Sequence, residues 1–314
     1  MLEDYRNALR AGQRATRAAQ ARGQSPYLAV LDDILRGVNI VAQEPLGLVD
    51  IPAESIVGTK TAGRHTAFAP NFMPILEADS EFARKWSNLC DAHLEEGIRY
   101  PITAYEYLNK FYVEEGNKRV SVLKYYEAVK IPGTVTRLVP ERNETLENKI
   151  YYEFLDFYKL SKINYVHFSR LGGYAKLQTL VCKATGESWT DDDRLNFASL
   201  YTMFSQQFYA LGGSALELTP GDALLVYLAV YRYSDAIEST PAQVRENLSK
   251  LWDEIKILTR PQAVELQLEP ATKQGAEPLL SKLNIFSPRP SELRVVLLHE
   301  HNAQTSAWVR GQDK

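Results

Sequence analysis

Two carboxylates, a glycine, an amide and two cations stand in a row at Glu114-Glu115-Gly116-Asn117-Lys118-Arg119, within the run YVEEGNKRVSVLK from Tyr112 to Lys124. A short alternating stretch, Phe111 to Val113, leads into it. A helix-compatible apolar run, Val120 to Leu123, leads out to Lys124. A strand, a glycine turn and cations at a helix start form an arrangement that holds phosphate, because free backbone N–H groups and the positive end of the helix dipole face the anion. With a nucleotide on such a loop, one acid can bind Mg2+ or accept a proton from a hydroxyl. Strand alternation sends the two acids to opposite faces, so only one enters the site. Glu115, adjoining the glycine, stands as the catalytic candidate.

A second glycine-rich loop, Gly58-Thr59-Lys60-Thr61-Ala62-Gly63-Arg64-His65, imitates a P-loop but places Arg64-His65 where Lys-Ser/Thr is required. Pro70 follows too soon for the long helix such a loop opens. Lys60, Thr61 and Arg64 nevertheless offer a further phosphate contact. Cys90 and His93 stand three apart, a zinc-compatible step, but two ligands make no structural site and core packing explains them better. No structural metal is expected. Asp191 to Asp193, after Trp189-Thr190, read as acids stabilising a helix start. Arg6, Arg10, Arg14 and Arg17 recur at steps of three and four and share one helix face. Such a row meets phosphate or an acidic membrane, and is more commonly a solvated face.

These residues sit on alternating elements. The chain to about Leu35 reads as helical, broken at Gly23 to Pro26 and resuming over Tyr27 to Leu35. Ile40-Val41 and Leu46 to Ile51 read as short strands punctuated by Pro45 and Pro52. Ser80 to Glu96 is an amphipathic helix ended by Gly97. A strand starts at Pro101 to Ala104, a turn follows at Glu106 to Asn109, and Ile131 to Pro140 is another strand. From Asn148 the pattern is helical, with aromatic rows over Ile150 to Tyr158 and Arg194 to Ala210. Further helix starts lie at Thr219-Pro220 and Thr240-Pro241, the latter helix ending near Ile257. The expected organisation is a helical segment (1–38), a mixed-sheet domain (39–147), a helical domain (148–260), a linker (261–292) and a strand-led start of a further domain (293–314). The fold class is therefore α+β. The apolar run Leu293 to Leu298 resembles a buried parallel strand with few residues after it, so the chain is expected to be a piece of a longer protein.

Composition narrows the function classes. With 45% hydrophobic and 24% charged residues the chain is globular. A net charge of -3 supplies no global field for non-specific nucleic-acid binding, so any such contact must be local. The N-terminus lacks the apolar core of a secretory signal, and no stretch approaches a membrane span of about 20 residues. Two widely separated cysteines give no disulfide framework. A cytoplasmic location with reduced thiols is the expectation.

The order of elements from Phe82 to Val135 resembles the N-terminal domain of the ParB family, which shares its fold with sulfiredoxin. The resemblance is carried by Gly97-Ile98, Pro101-Ile102, the Gly116-x-x-Arg119 motif opening a helix, and Lys124. Upstream, GLVDIPAESIVGTKTAGR resembles the family's first strand and arginine-bearing loop, with Arg64 as the matching arginine. It covers about ninety residues. It implies a nucleotide, CTP or ATP with Mg2+, cradled by Gly116 and Asn117 and paired with Lys118, Arg119, Lys124 and Arg64. Hydrolysis, phosphoryl transfer and simple binding all stay open. Family members that bind DNA make DNA a second expected partner, and an alternative function is a DNA-binding module using the Arg6 to Arg17 row with the same cationic loop, although no helix-turn-helix follows here; self-association is left open too. The whole arrangement resembles the N-terminal region of cytoplasmic BMP-family (basic membrane protein) substrate-binding proteins, with RVVLLHEHNAQTSAWVRGQDK as the opening of a nucleoside-binding domain otherwise absent. That implies a sensor role as an alternative function.

Overall fold

The computed structural model describes residues 2–258. The linker and the strand-led segment expected after residue 260 lie outside them. The described chain divides into two compact units, Met1–Leu155 with Ile163–Tyr165, and Asp156–Lys162 with Val166 onward.

The first unit is built on a six-stranded mixed sheet. Its elements are α1 (Leu2–Ala21), β1 (Ala29–Val30), α2 (Leu31–Ile34), β2 (Ile40–Pro52), β3 (Ile56–Thr59), α3 (Glu81–Glu96), β4 (Ile102–Tyr107), β5 (Lys110–Glu115), α4 (Asn117–Tyr125) and β6 (Lys130–Pro140). The helix α5 (Leu146–Ser161) leaves it. The strands lie in the order β1-β3-β5-β4-β6-β2, with β1, β3 and β5 mutually parallel. The pairs β4–β5 and β6–β2 are antiparallel, and β4–β6 is parallel.

Three local expectations change. The helix expected over Tyr27 to Leu35 is instead the short strand β1 followed by a single helical turn, because pairing with β3 satisfies Ala29 and Val30. The two strands expected around Pro45 are one strand, β2. It is the sheet's edge, so the N–H that proline lacks costs little, and a register shift between Pro45 and Gly47 absorbs the ring. The turn expected at Glu106 to Asn109 is only Leu108-Asn109, both with positive φ, closing a tight β4–β5 hairpin.

Glu106 therefore lies within β4, buried, directly opposite Arg137 of β6. Its carboxylate accepts from Arg137 Nε, from Tyr151 Oη at 3.2 Å and from the Asn109 amide at 2.7 Å. One apolar cluster gathers Ile51, Ile56, Phe68, Ile102, Phe111, Val113, Val120 and Val135 beneath α4. Another joins Tyr5 and Ala8 of α1 to Trp86 and Cys90 of α3 and Val122 of α4.

The second unit is helical: α6 (Gly173–Leu180), α7 (Asp191–Ala210), α8 (Pro220–Val230), α9 (Tyr233–Ile237), α10 (Pro241–Lys250) and α11 (Trp252–Ile257). Thr190, Thr219 and Thr240 each close a capping box with Asp193, Asp222 and Gln243. The caps expected at Thr219 and Thr240 are thus present, and the last expected helix is broken into α10 and α11. Phe197, Phe204, Phe208 and Tyr227 fill the interior, as the aromatic rows predict.

Candidate functional site

Because β1, β3 and β5 are parallel, their carboxyl ends meet at one end of the sheet, where open α/β sheets bind ligands. Each strand there delivers a polar group: Asp32 after β1, Thr59 and Lys60 at the end of β3, and the Gly116 turn after β5. Lys60 Nζ lies 3.0 Å from Asp32 Oδ1 and 5.2 Å from the centre of the Tyr105 ring. The hydrogen bond to Asp32 raises the Lys60 pKa.

Gly116 caps α4 with φ +110°, a left-handed conformation, and a Cβ there would stand 2.8 Å from Ile102 and 3.1 Å from Arg119 Nε. Only glycine fits. The first helical bond runs from the Val120 amide to the Gly116 carbonyl, so the amides of Asn117, Lys118 and Arg119 precede the helical ladder and open toward its N-terminal side. The first turn of α4 carries no acid and instead two cations, opposite to what the helix dipole favours. By contrast α7 opens with three aspartates and α3 with Glu81, as the dipole dictates.

The predicted site residues separate into two groups. Gly116, Asn117, Lys118 and Arg64 come together. Lys118 is half-buried, with its ammonium 4.7 Å from the Phe82 ring centre, and burial lowers its pKa, reinforced by the neighbouring charges of Arg64 and Lys85. Arg64 is exposed on the 3-10 turn Ala62–Ala67. Asn117 Nδ2 donates to Thr59 Oγ1 at 3.2 Å, and Thr59 in turn donates to the Val113 carbonyl at 3.0 Å. That leaves the buried Oδ1 of Asn117 an acceptor with no donor within the protein.

Arg119 and Lys124 are directed elsewhere. Arg119 Nη1 donates to the carbonyls of Tyr100, at 2.9 Å, and Pro101, closing the turn before β4. Lys124 stands two helical turns beyond Asn117, about 10 Å along the axis. It donates to the Ile56 carbonyl at 2.8 Å, at the opposite end of β3 from Thr59. Burial brings its pKa down to about 8. Glu115 is exposed, 3.6 Å from Arg119, and Glu114 is exposed within the field of Lys60.

Sequence reasoning passed over Asp32 and Tyr105, which partner Lys60. Nothing in their spacing marks them, since parallel pairing alone brings Asp32 beside β3. Cys90 is core, its thiol raised to about 12 by burial. Among the described residues no group of three or more His, Cys, Asp or Glu is placed to hold a metal, and no helix is long and apolar enough to cross a membrane. No protein-family model matches the chain, and no curated protein is similar to it at significance.

Proposed function

We propose that the first unit is a nucleotide-binding regulatory module that takes the phosphates of CTP or ATP on the N-terminal turn of α4. The observation that carries this reading is a half-buried Lys118 on a helix start whose dipole already repels it, within the field of the Arg64 charge. An anion there relieves both the mutual repulsion and the dipole conflict, and three amides are free to receive it. The resemblance of Phe82 to Val135 to ParB-like domains adds support. In this reading Arg64 and Lys118 pair with phosphate, the amides of Asn117 and Lys118 cradle it, and Arg119 is a positioning residue that shapes the Gly116 turn.

Mg2+, if it accompanies the nucleotide, would be drawn to Glu115 or Glu114, whose exposed carboxylates border the turn. Glu115 is the group available to act as a base toward a hydroxyl. The test is thermal protection of the full chain by CTP, ATP and other nucleoside triphosphates with Mg2+, repeated on the Arg64→Ala/Lys118→Ala double variant. Protection by at least one triphosphate that the double variant loses is expected. A flat response across the panel would overturn the proposal.

A further inference from the structure

The arginine row of α1 takes no part in that site. Arg6, Arg10, Arg14 and Arg17 are all exposed, while Tyr5, Ala8, Gly12 and Ala19 on the other side of the helix are buried. The buried side is firmly anchored. Tyr5 Oη donates to the Leu76 carbonyl at 2.7 Å and its ring meets Trp86 edge-on at 5.5 Å. Gly12 lies so close to Pro74 that a Cβ would stand 2.2 Å from its carbonyl oxygen. Arg10 donates to Asn7, yet among the described residues none of the four arginines has a carboxylate within ion-pair distance. Like charges four residues apart destabilise a helix, so the row works against α1 itself.

We propose that this row is a docking surface for the phosphate backbone of a nucleic acid. Charge complementarity calls for a polyanion, and two features select among polyanions. A membrane-bound amphipathic helix inserts its apolar face, but the apolar face of α1 is already packed on α3. The guanidinium groups are strung over twelve residues of helix, a rise of about 16 Å, which spans about five phosphates at the ~3.4 Å axial spacing of one duplex strand. Each fork can take a phosphate bidentately. The contact is to backbone only, so it carries no base preference.

The experiment is fluorescence anisotropy of the full chain with a labelled oligonucleotide of about twenty nucleotides and the matching duplex, over a series of salt concentrations. Four phosphate contacts predict a log–log slope of about -3 for the single strand and about -4 for the duplex. Arg10→Gln/Arg14→Gln should lower the slope by about two while leaving the melting temperature no lower, because glutamine keeps helix propensity and both positions face water. Arg64→Ala/Lys118→Ala should leave the slope unchanged, which separates this surface from the nucleotide site. The proposal is overturned by absence of binding at low salt, by a slope indifferent to the Arg10/Arg14 change, by loss of binding in the Arg64/Lys118 variant instead, or by tighter binding to polyglutamate or phosphatidylserine vesicles than to either oligonucleotide.

Discussion

The side-chain amide of Asn117 donates to Thr59 Oγ1 at 3.2 Å and so ties the first turn of α4 to the carboxyl end of β3. This one bond joins the two loops that the sequence presents as separate glycine-rich segments. It also divides the cations of the region by task.

Arg64 is exposed and Lys118 half-buried near the start of α4, each within the other's field, whereas Arg119 serves the backbone carbonyls of Tyr100 and Pro101. Arg64→Ala should therefore weaken triphosphate protection without lowering stability. Arg119→Ala should lower stability by about 1 kcal/mol, the scale of a net hydrogen bond whose exposed carbonyl acceptors water can reach. Urea unfolding beside nucleotide titration of both variants checks this, and equal stability of the two would contradict the division.

Gly116→Ala places a Cβ 2.8 Å from Ile102 in a backbone conformation that side chains rarely adopt. A cost of about 1–3 kcal/mol is expected from the strain. Thermal protection by the triphosphate should fall with it, because the three free amides lose their alignment. Gly63→Ala, where a Cβ meets nothing closer than 3.9 Å, is the control that should change neither.

Lys124 makes stability depend on pH in a definite direction. Its folded pKa of about 8 lies below the ordinary lysine value of 10.5, so between those two values the unfolded chain holds the additional proton. Stability then rises with pH across that window and has no slope from this group below it, the whole rise being about 3 kcal/mol. Tyr5, Tyr112 and Tyr126, raised to about 12 by burial, act oppositely above pH ~10, where the unfolded chain loses its phenolic protons first. Unfolding free energies from pH 7.5 to 9.5 should thus climb for the native chain relative to Lys124→Met. Parallel curves would refute the assignment.

Arg137→Met removes the partner that offsets burial at Glu106, whose pKa burial already raises, so the carboxyl must take up a proton and lose its ion pair, at a cost of about 3–5 kcal/mol. The double change Glu106→Met/Arg137→Met should recover most of that loss, since a buried pair is often replaceable by apolar packing. Denaturant midpoints of the two variants decide the matter; a double variant as weak as the single would show that the pair contributes more than its charges cost.

Much of this architecture is legible in the chain. The helix at Ser80 to Glu96, the strand at Ile131 to Pro140 and the capping threonines declare themselves through local chemistry that tertiary contacts do not override. What the sequence conceals is set by pairing across distance. Ala29-Val30 becomes strand only because β3 lies beside it, and Glu106 belongs in a core only because Arg137 stands opposite. In the site, Gly116 and Lys118 are readable from composition around a turn. Arg119 is not, since its carbonyl partners lie eighteen and nineteen residues away. Lys124 misleads for a related reason: helical periodicity places it on the face of Asn117, but two turns too far along.

The strands that carry the site differ greatly in how they are held. β5 is hydrogen-bonded on both sides and continues into α4, whereas β1 is a two-residue strand at the sheet's margin, paired only with the four-residue β3. The Asp32 side can therefore detach by breaking few bonds while the Gly116 side stays folded. Amide exchange should accordingly run faster at Asp32, whose amide donates to the Lys60 carbonyl, than along β5, giving the site a hinged wall and a fixed one. An occupant that bridges Lys60 and Lys118 would slow the faster wall most, so its presence would register as a change in exchange lifetimes before any change in shape.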